Sequence, residues 1–412
     1  MAGGDGGRED PTPSDEVALS WTRLRETSPL SRTALIVGAG IGGLSAGLAL
    51  RKAGWTIRIF ERSPSPRELG FGLALAPNAI AALRTLGVAE VVKARSFEPR
   101  RAEVRRPDGT VLKRAELPPE VPGGPMIIAL RPALHGALLE AVGVDAVALE
   151  NDVTGFTSTG TRVTLQMAGG GVAEGDVLIG ADGVGSVVRR AMHPDEAPPR
   201  SSGIVAVRGA VHGALRHLGD LHAVYYLGRG VESMFVRASD TGIYWFLSMA
   251  HALVPAGMQD PRAILALMSP RFDSTFRAVT SATDDLRFDE LVDRDPVPFW
   301  GKDAVTLLGD AAHPLLPHTG QGAAQAIVDA VTVGEALTGD VDVERALRAY
   351  ERERLSKTAT LLQQGRRTAR IMGTMNPLAC YVREAVVRMI PVKPFAKFYV
   401  RINRRAGTDV NR

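Results

Sequence analysis

Gly38, Gly40 and Gly43 stand between an apolar run, Ala34-Leu35-Ile36-Val37, and a segment of helical period, Leu44 to Ala53. A second apolar run, Trp55 to Phe60, then ends in a carboxylate, Glu61, followed by Arg62. This order is suited to holding a dinucleotide. Gly38 can take a tight turn, Gly40 lets backbone approach a pyrophosphate, and Gly43 lets the helix press on the strand. Ala39, Ile41 and Gly42 complete the turn, and the helix opens with free N–H groups that suit phosphate. Glu61, 23 residues after Gly38, is spaced to accept hydrogen bonds from a ribose diol.

Two later stretches carry chemistry of the same kind. Asp176 to Gly183 reads as a buried strand ending in Asp182-Gly183, with a helix beginning over Ser186 to Arg190. An acid and a flexible backbone at a strand's carboxyl end belong at a ligand crevice. Val305-Thr306-Leu307-Leu308 ends in Gly309-Asp310, where an acid suits a ribose or ribityl hydroxyl. The loop that follows, stiffened by Pro314 and Pro317, reaches Gly320 and Gly322 at the start of a long helix, Ala323 to Leu337. Bare N–H groups at that start stabilise negative charge, and a flavin ring is anionic once reduced. Ile127 to Leu130 delivers Arg131 just ahead of Pro132 and a helix to Val142, which places a guanidinium near a phosphate or ribityl chain. His313 and His318 share the proline-rich loop, and the sequence offers them no third metal ligand.

The elements that position these residues follow from periodicity. Pro77-Asn78 opens a helix with Ala79, Ala82, Leu83 and Leu86 on one face and Gly87 as its stop. Pro107-Asp108-Gly109 is a hairpin turn, Val144 to Leu149 reads as the third strand of the nucleotide domain, and Val153 to Phe156 pairs with Thr161 to Met167. Ile204 to Val211, Ala223 to Leu227, Ser233 to Arg237 and Ile243 to Met249 form an antiparallel meander. Tyr225, Tyr226, Met234, Phe235, Tyr244, Trp245 and Phe246 lie on it, and alternation lets only about half face a substrate pocket. Helices follow over Pro261 to Met268 and Phe272 to Val279. The acidic segment Asp284 to Asp295 reads as a solvated loop. From Val343 the chain is helical and basic, and its end is expected to pack on the body with a solvated basic face.

Composition narrows the function. The 412 residues are 45% hydrophobic and 23% charged, enough for a large core, and no apolar run is long enough to span a bilayer. One cysteine, Cys380, excludes an internal disulfide and a cysteine-based metal site. The net charge of +4 is spread along the chain without a nucleic-acid motif, so no nucleic-acid partner is expected. Residues 1–31 read as a disordered tail without a targeting core, which implies a cytoplasmic protein.

With three motifs in this order, the chain resembles the single-component FAD-dependent monooxygenases of the para-hydroxybenzoate hydroxylase superfamily. That superfamily includes salicylate hydroxylase-like, urate hydroxylase-like and zeaxanthin epoxidase-like enzymes. The motifs are Gly38 to Gly43 with Glu61-Arg62, Gly180 to Ser186 with Arg189, and Gly309 to Pro314 with Gly320-Gln321-Gly322. The resemblance spans roughly Thr33 to Arg370.

It implies an α/β fold: a Rossmann-like FAD-binding domain (32–80, 126–195 and 300–342), an inserted antiparallel β-sheet substrate domain (81–125 and 196–299), and a helical C-terminal segment (343–412). It implies that Glu61 holds the adenosine ribose, Asp310 the ribityl or pyrophosphate region, and Arg131 the flavin's chain. Val153 would meet the adenine through its backbone, Asp182 would serve both FAD and NAD(P)H, Gly320 and Gly322 would face the isoalloxazine, and Pro317 is a further cofactor-binding candidate. Arg229 is a candidate for orienting substrate. Ala206-Val207-Arg208 departs from the family's aromatic before the arginine, and Val328 from its usual glutamate.

The implied reaction uses NAD(P)H and dioxygen to hydroxylate or epoxidise an electron-rich small molecule through a flavin C4a-hydroperoxide. A flavin-linked reductase or desaturase, and a non-catalytic FAD-binding protein docking on membranes through its basic end, are the alternatives.

Overall fold

The structure, a computed structural model, describes residues 32–65, 72–116 and 126–389. The expected tail, Gly70-Phe71 and the basic segment after Met389 lie outside the described residues.

Five parallel strands form the first sheet, in the order β18-β12-β1-β2-β8. They are β1 (Thr33–Val37), β2 (Thr56–Phe60), β8 (Val147–Ala148), β12 (Val177–Gly180) and β18 (Val305–Leu307). The uninterrupted apolar character of β1 and β12 reflects burial on both faces: Ala34, Leu35, Ile36, Val177, Leu178 and Ile179 are all fully buried. Helix α1 (Ile41–Lys52) crosses from β1 to β2 and ends in Arg51 and Lys52, which suit the negative end of its dipole. Strand β1 lies between β2 and β12, so crossovers leave it in both directions and a crevice opens beyond its carboxyl end.

Helix α2 (Pro77–Leu86) begins on Pro77 and stops at Gly87 in the left-handed region, with Ala79, Ala82, Leu83 and Leu86 buried as their spacing requires. The boundary expected at residue 81 falls inside this continuous helix. Its apolar face joins the core of the parallel sheet, as does that of α3 (Ala89–Ala94). The third strand expected over Val144 to Leu149 shrinks to a 3₁₀ turn, Val144–Ala146, and the two residues of β8 at the sheet edge. Glu150, just beyond it, turns the chain away with φ 57°. Strands β9 (Val153–Ser158), β10 (Val163–Met167) and β11 (Val172–Gly175) make a small antiparallel meander.

The large antiparallel sheet has seven strands in the order β17-β13-β16-β15-β14-β5-β6. They are β5 (Arg101–Arg105), β6 (Val111–Glu116), β13 (Arg200–His212), β14 (Ala223–Leu227), β15 (Val231–Arg237), β16 (Gly242–Ala250) and β17 (Leu286–Asp293). The Pro107-Asp108-Gly109 hairpin joins this sheet, with β5 running parallel to β14.

Strand β17 corrects the reading of Asp284 to Asp295 as a solvated loop. Asp284 is exposed, but Asp293 is fully buried between Arg200 and Arg366, and Asp289 pairs with Arg208 and Arg287. Arg200 and Arg208 on the neighbouring strand, Arg287 on β17 itself and Arg366 turn an acidic run into an edge strand with paired carboxylates.

One face of the sheet packs on α6 (Pro261–Met268) and α7 (Ser274–Ser281) through Tyr226, Phe235, Trp245, Phe272 and Phe276. The other faces the three-stranded sheet of β3 (Gly72–Leu75), β7 (Ile127–Leu130) and β4 (Ser96–Phe97), and the loop that leads into α8 (Gly322–Ala336).

Helix α4 (Arg131–Val142) follows β7, and α5 (Val187–Met192) follows β12. Helix α9 (Val343–Met372) starts on Asp342, whose carboxylate accepts from Arg345 N, and α10 (Pro377–Met389) closes the described chain. On α10 the apolar Leu378, Tyr381, Val382 and Met389 are exposed alongside the basic Arg388, and the rest of the segment expected to carry a basic face lies outside the described residues. Arg383 turns inward to donate to the carbonyls of Met372 and Gly228.

Candidate flavin site

A cavity of about 400 Å³ opens at the carboxyl ends of β1, β12 and β18. From the first motif Gly38, Gly40, Ile41, Gly42, Glu61 and Arg62 line it. Arg131, Val153 and Asp182 join them, with Gly309, Asp310 and Gly322 from the third motif. Residues distant in sequence therefore form one wall.

The turn at Gly38 is fixed by contacts only glycine permits. Its φ is 97°, and a Cβ there would stand 2.6 Å from the carbonyl oxygen of Ala181, so the first two motifs touch. A Cβ on Gly43 would lie 1.9 Å from the Gly38 carbonyl oxygen. Ala39 and Gly43 thus shape the cavity from behind without lining it. Glu61 braces the turn from its far side: its carboxylate accepts from Ala39 N at 2.9 Å and Ser63 N at 2.9 Å. His135, buried on α4, contacts the Ala39 carbonyl at 2.8 Å through Nε2. Sequence reasoning missed His135, although it lies one helical turn after Arg131 and so shares its face.

Two helix N-termini converge on the cavity. Helix α1 starts at Gly40 and α8 at Gln321, and neither start has a side-chain cap. Their first N–H groups have no intrahelical acceptor, so both ends offer donors and a positive dipole to an anion. Asp310 stands at the mouth of α8, its Oδ1 3.9 Å from where a Gly322 Cβ would be. Paired N–H clusters, bare glycines, Arg131 and the acids Glu61 and Asp310 are what a dinucleotide's pyrophosphate and hydroxyl groups require. The residues fit FAD.

Asp182 has a second duty. It accepts from Ser186 Oγ at 2.5 Å and Val187 N at 2.7 Å, capping α5, and burial pushes its carboxyl up despite these donors. Arg189, 1% exposed, leaves α5 to donate to Ala311 O at 3.0 Å and Ala312 O at 2.7 Å, while a bidentate pair with Glu196 balances its charge.

Beneath the third motif lies a buried polar network that the sequence did not announce. Asp329 accepts from Gly309 N at 3.0 Å and Arg354 Nε at 2.5 Å, and meets His313 Nε2 at 2.5 Å. Burial alone would raise its carboxyl, but His313 and Arg354 hold it at about 2. Arg354 continues to Gln325, Gln325 to Gln321, and Gln321 to Asn78 on α2. His318, the other histidine of the loop, faces away to Glu232 on β15 at 3.2 Å, and Glu232 also accepts from Tyr225 OH. The two histidines thus serve separate partners.

Pro317 and Gly320 do not line the cavity. Pro317 opens a 3₁₀ turn that Gly320 ends in the left-handed region at φ 62°, and a Gly320 Cβ would sit 3.8 Å from Ala74 on β3. This loop therefore lies between the flavin cavity and the large sheet. Arg229 is elsewhere: on the β14–β15 turn, exposed, with its Nε donating to Met375 O.

Register sorts the meander's aromatic residues. Arg208 pairs with Phe246, Phe246 with Met234 and Met234 with Tyr225, a row across four strands on the face toward the loop. All four are half-buried, whereas Ala206, Ser248 and Glu232 in the adjoining row are buried. Tyr226, Phe235 and Trp245 point to the helices instead.

Comparison with known proteins agrees with this geometry. A family model described as FAD binding domain matches residues 31–365. The chain is 34% identical to aurachin C monooxygenase/isomerase of Stigmatella aurantiaca, over 87% of this chain and 94% of that one. It is 32% identical to 3-hydroxybenzoate 6-hydroxylase 1 of Aquipseudomonas alcaligenes, over 79% and 85% of the two chains. The crystal structure of Klebsiella pneumoniae HpxO with FAD and uric acid superposes with a TM-score of 0.84 at 25% identity, covering 91% of this chain and 97% of that one. The glycine turn, the converging helix ends and these likenesses together place the chain in the FAD-binding-domain family of flavin-dependent monooxygenases that hydroxylate aromatic small molecules with NAD(P)H.

Proposed function

We propose that the substrate is a planar aromatic or heteroaromatic compound bearing a hydroxyl or other ring oxygen, held between the Pro317–Gly320 loop and the Arg208–Phe246–Met234–Tyr225 row. The half-buried state of that row carries the reading: its four side chains stay partly accessible where Ala206, Ser248 and Glu232 in the adjoining row are buried. Met234 and Phe246 offer apolar contact to a ring. Arg208, 3.5 Å from Asp289, offers a cation to a ring oxygen or carboxylate. Relatives named for 3-hydroxybenzoate and 3-amino-4-hydroxybenzoate, and the uric acid in the HpxO structure, support this class.

In this reading Glu61 holds the adenosine ribose, and Val153 meets the adenine through its backbone. The N-termini of α1 and α8 hold the pyrophosphate, and Arg131 and Asp310 hold the chain that leads to the ring. Gly320 and Gly322 border the ring, and Asp182 keeps the Gly183 turn in place by capping α5. Bound there, FAD supplies transfer of reducing equivalents and activation of dioxygen. The chain's own residues do the rest. Glu232 orients the Tyr225 hydroxyl, Arg208 orients the substrate, and Met234 and Phe246 exclude water so that reactive oxygen is not lost to side reactions.

The test is a screen of NAD(P)H oxidation with hydroxybenzoates, hydroxyquinolines and purines under heavy dioxygen. The expected product carries one labelled oxygen. Unlabelled product formed under turnover would reject the reading in favour of a flavin-linked reductase or desaturase.

A further inference from the structure

A second cavity, of about 250 Å³, opens where the start of β13 meets the last turns of α9. Arg200 and Ser202 wall it on one side, Arg366 and Arg370 on the other, and Leu316 from the glycine-bearing loop forms part of its floor. Its cations are pre-organised. Asp293, fully buried, accepts from Arg200 Nε and Nη2 at 3.0 and 2.8 Å and from Arg366 Nε and Nη2 at 2.9 and 3.0 Å. Arg366 also pairs with Asp295, whose side chain is exposed, at 2.7 Å. Arg370, one helical turn further, is exposed and has no hydrogen-bond or ion-pair partner among the described residues. Three guanidiniums thus face two carboxylates, and one of those carboxylates is in solvent.

The cavity adjoins the flavin loop. A Cβ on Gly365 would lie 3.8 Å from Leu316 Cβ and 3.7 Å from Thr319 Cγ2, so α9 runs directly along the turn that ends at Gly320. Five residues of helix separate Gly365 from Arg370, a rise of roughly 7.5 Å. NAD(P)H is itself a dinucleotide with a pyrophosphate, and it must bring its nicotinamide to the ring. The glycine turn and the two converging helix ends belong to the cavity that fits FAD. A second pyrophosphate therefore needs its own cations within reach of Gly320.

The geometry points to the Arg200–Arg366–Arg370 cavity as the docking site for the pyrophosphate of NAD(P)H, with the nicotinamide directed along the Leu316–Gly320 loop. This rests on the flavin-site reading above. The guanidinium fork of Arg370 matches phosphate oxygens in pairs, and Arg200 and Arg366 add positive charge while their Nε–Nη2 edges stay on Asp293. The Ser202 hydroxyl can donate alongside, and Ile204, Leu316 and Ala369 offer apolar contact to the nucleoside.

The experiment uses the FAD-loaded full chain and compares wild type with Arg370→Gln and with Arg84→Gln, which removes an exposed charge on α2. Calorimetry with ADP-ribose, which carries the pyrophosphate but cannot reduce a flavin, reads docking without catalysis. Anaerobic stopped-flow reduction by NADH and NADPH reads the half-saturating concentration and the limiting rate separately. Arg370→Gln should weaken ADP-ribose and raise the half-saturating nicotinamide concentration about tenfold or more, with an unchanged limiting rate. Arg84→Gln should match wild type. Equal values in Arg370→Gln and wild type would overturn the assignment and leave the flavin site standing. A wild-type flavoprotein that binds no ADP-ribose and that neither nicotinamide reduces would overturn the docking site together with the NAD(P)H-dependent reading of the function, while its bound FAD would leave the flavin site standing.

Discussion

Arg189 donates to the carbonyl of Ala312 at 2.7 Å, so the helix that follows the Asp182-Gly183 turn is bolted to the turn inside the third motif. Its other donors reach Ala311 O and, in a bidentate pair, Glu196. The guanidinium is the mechanical link that keeps Asp182 and Asp310 on one cavity. Replacing it with lysine keeps the charge and loses the fork. Arg189→Lys should lower stability by about 3 kcal/mol and release FAD on dialysis, read by denaturant titration and by flavin fluorescence of the filtrate. A variant as stable as wild type that stays yellow would show that the link is dispensable.

Asp329 gives a pH signature. Its carboxyl ordinarily titrates near 3.8 and is held at about 2 in the fold by His313 and Arg354, against the opposing effect of burial. A depressed acid stabilises the fold above its unfolded value, and that stability is lost as pH falls through the folded one. The expected loss is about 2 kcal/mol between pH 3.8 and about 2. Asp329→Asn should be less stable at neutral pH, because Arg354 loses its counter-charge and His313 its carboxylate partner, and should show a flatter pH dependence across that window. Parallel acid titrations of wild type and variant followed by circular dichroism check it.

Gly43→Ala tests the cradle. The added methyl would sit 1.9 Å from the Gly38 carbonyl oxygen, a backbone atom that cannot step aside without opening the turn. The variant should purify colourless and bind added FAD at least about a hundredfold more weakly, or fail to fold. Glu61→Gln, which keeps the shape but weakens the acceptor for Ala39 N, should fold and bind FAD about tenfold more weakly. Fluorescence quenching titrations of the apoprotein distinguish the two.

Neighbouring aromatic residues on β16 should behave differently. Trp245 is fully buried against α7, with Nε1 donating to Thr283 Oγ1 at 2.9 Å, so Trp245→Ala should cost about 4 kcal/mol. Phe246 faces the flavin loop and is only half-buried. Phe246→Ala should leave the melting temperature within a few degrees while changing which aromatic compounds stimulate NAD(P)H oxidation. Thermal melts and the substrate screen, run on both variants, check the assignment of faces; a destabilised Phe246→Ala with unchanged substrate choice would reverse it.

The sequence alone made the local half of this protein legible. Glycines at Gly38, Gly40 and Gly43, with a strand before and an acid after, specify a phosphate turn because few other uses need bare backbone at those offsets. Pro77, Gly87 and Pro132 marked helix ends for reasons internal to the chain. The alternation in β15 and β16 said that about half of the aromatic residues would face a pocket, without saying which half.

Only the tertiary structure decided the rest, because it depends on partners remote in sequence. Asp293 looked like one more solvated acid until Arg200 and Arg366 closed on it from two elements. Asp329 became a hub only when α9 brought Arg354 beneath the Gly309 turn. Strand register chose Phe246 over Trp245 for the flavin side, since a shift of one residue exchanges the two faces. A short-range motif encodes its own geometry, whereas a charge's meaning is set by whichever opposite charge the fold carries to it.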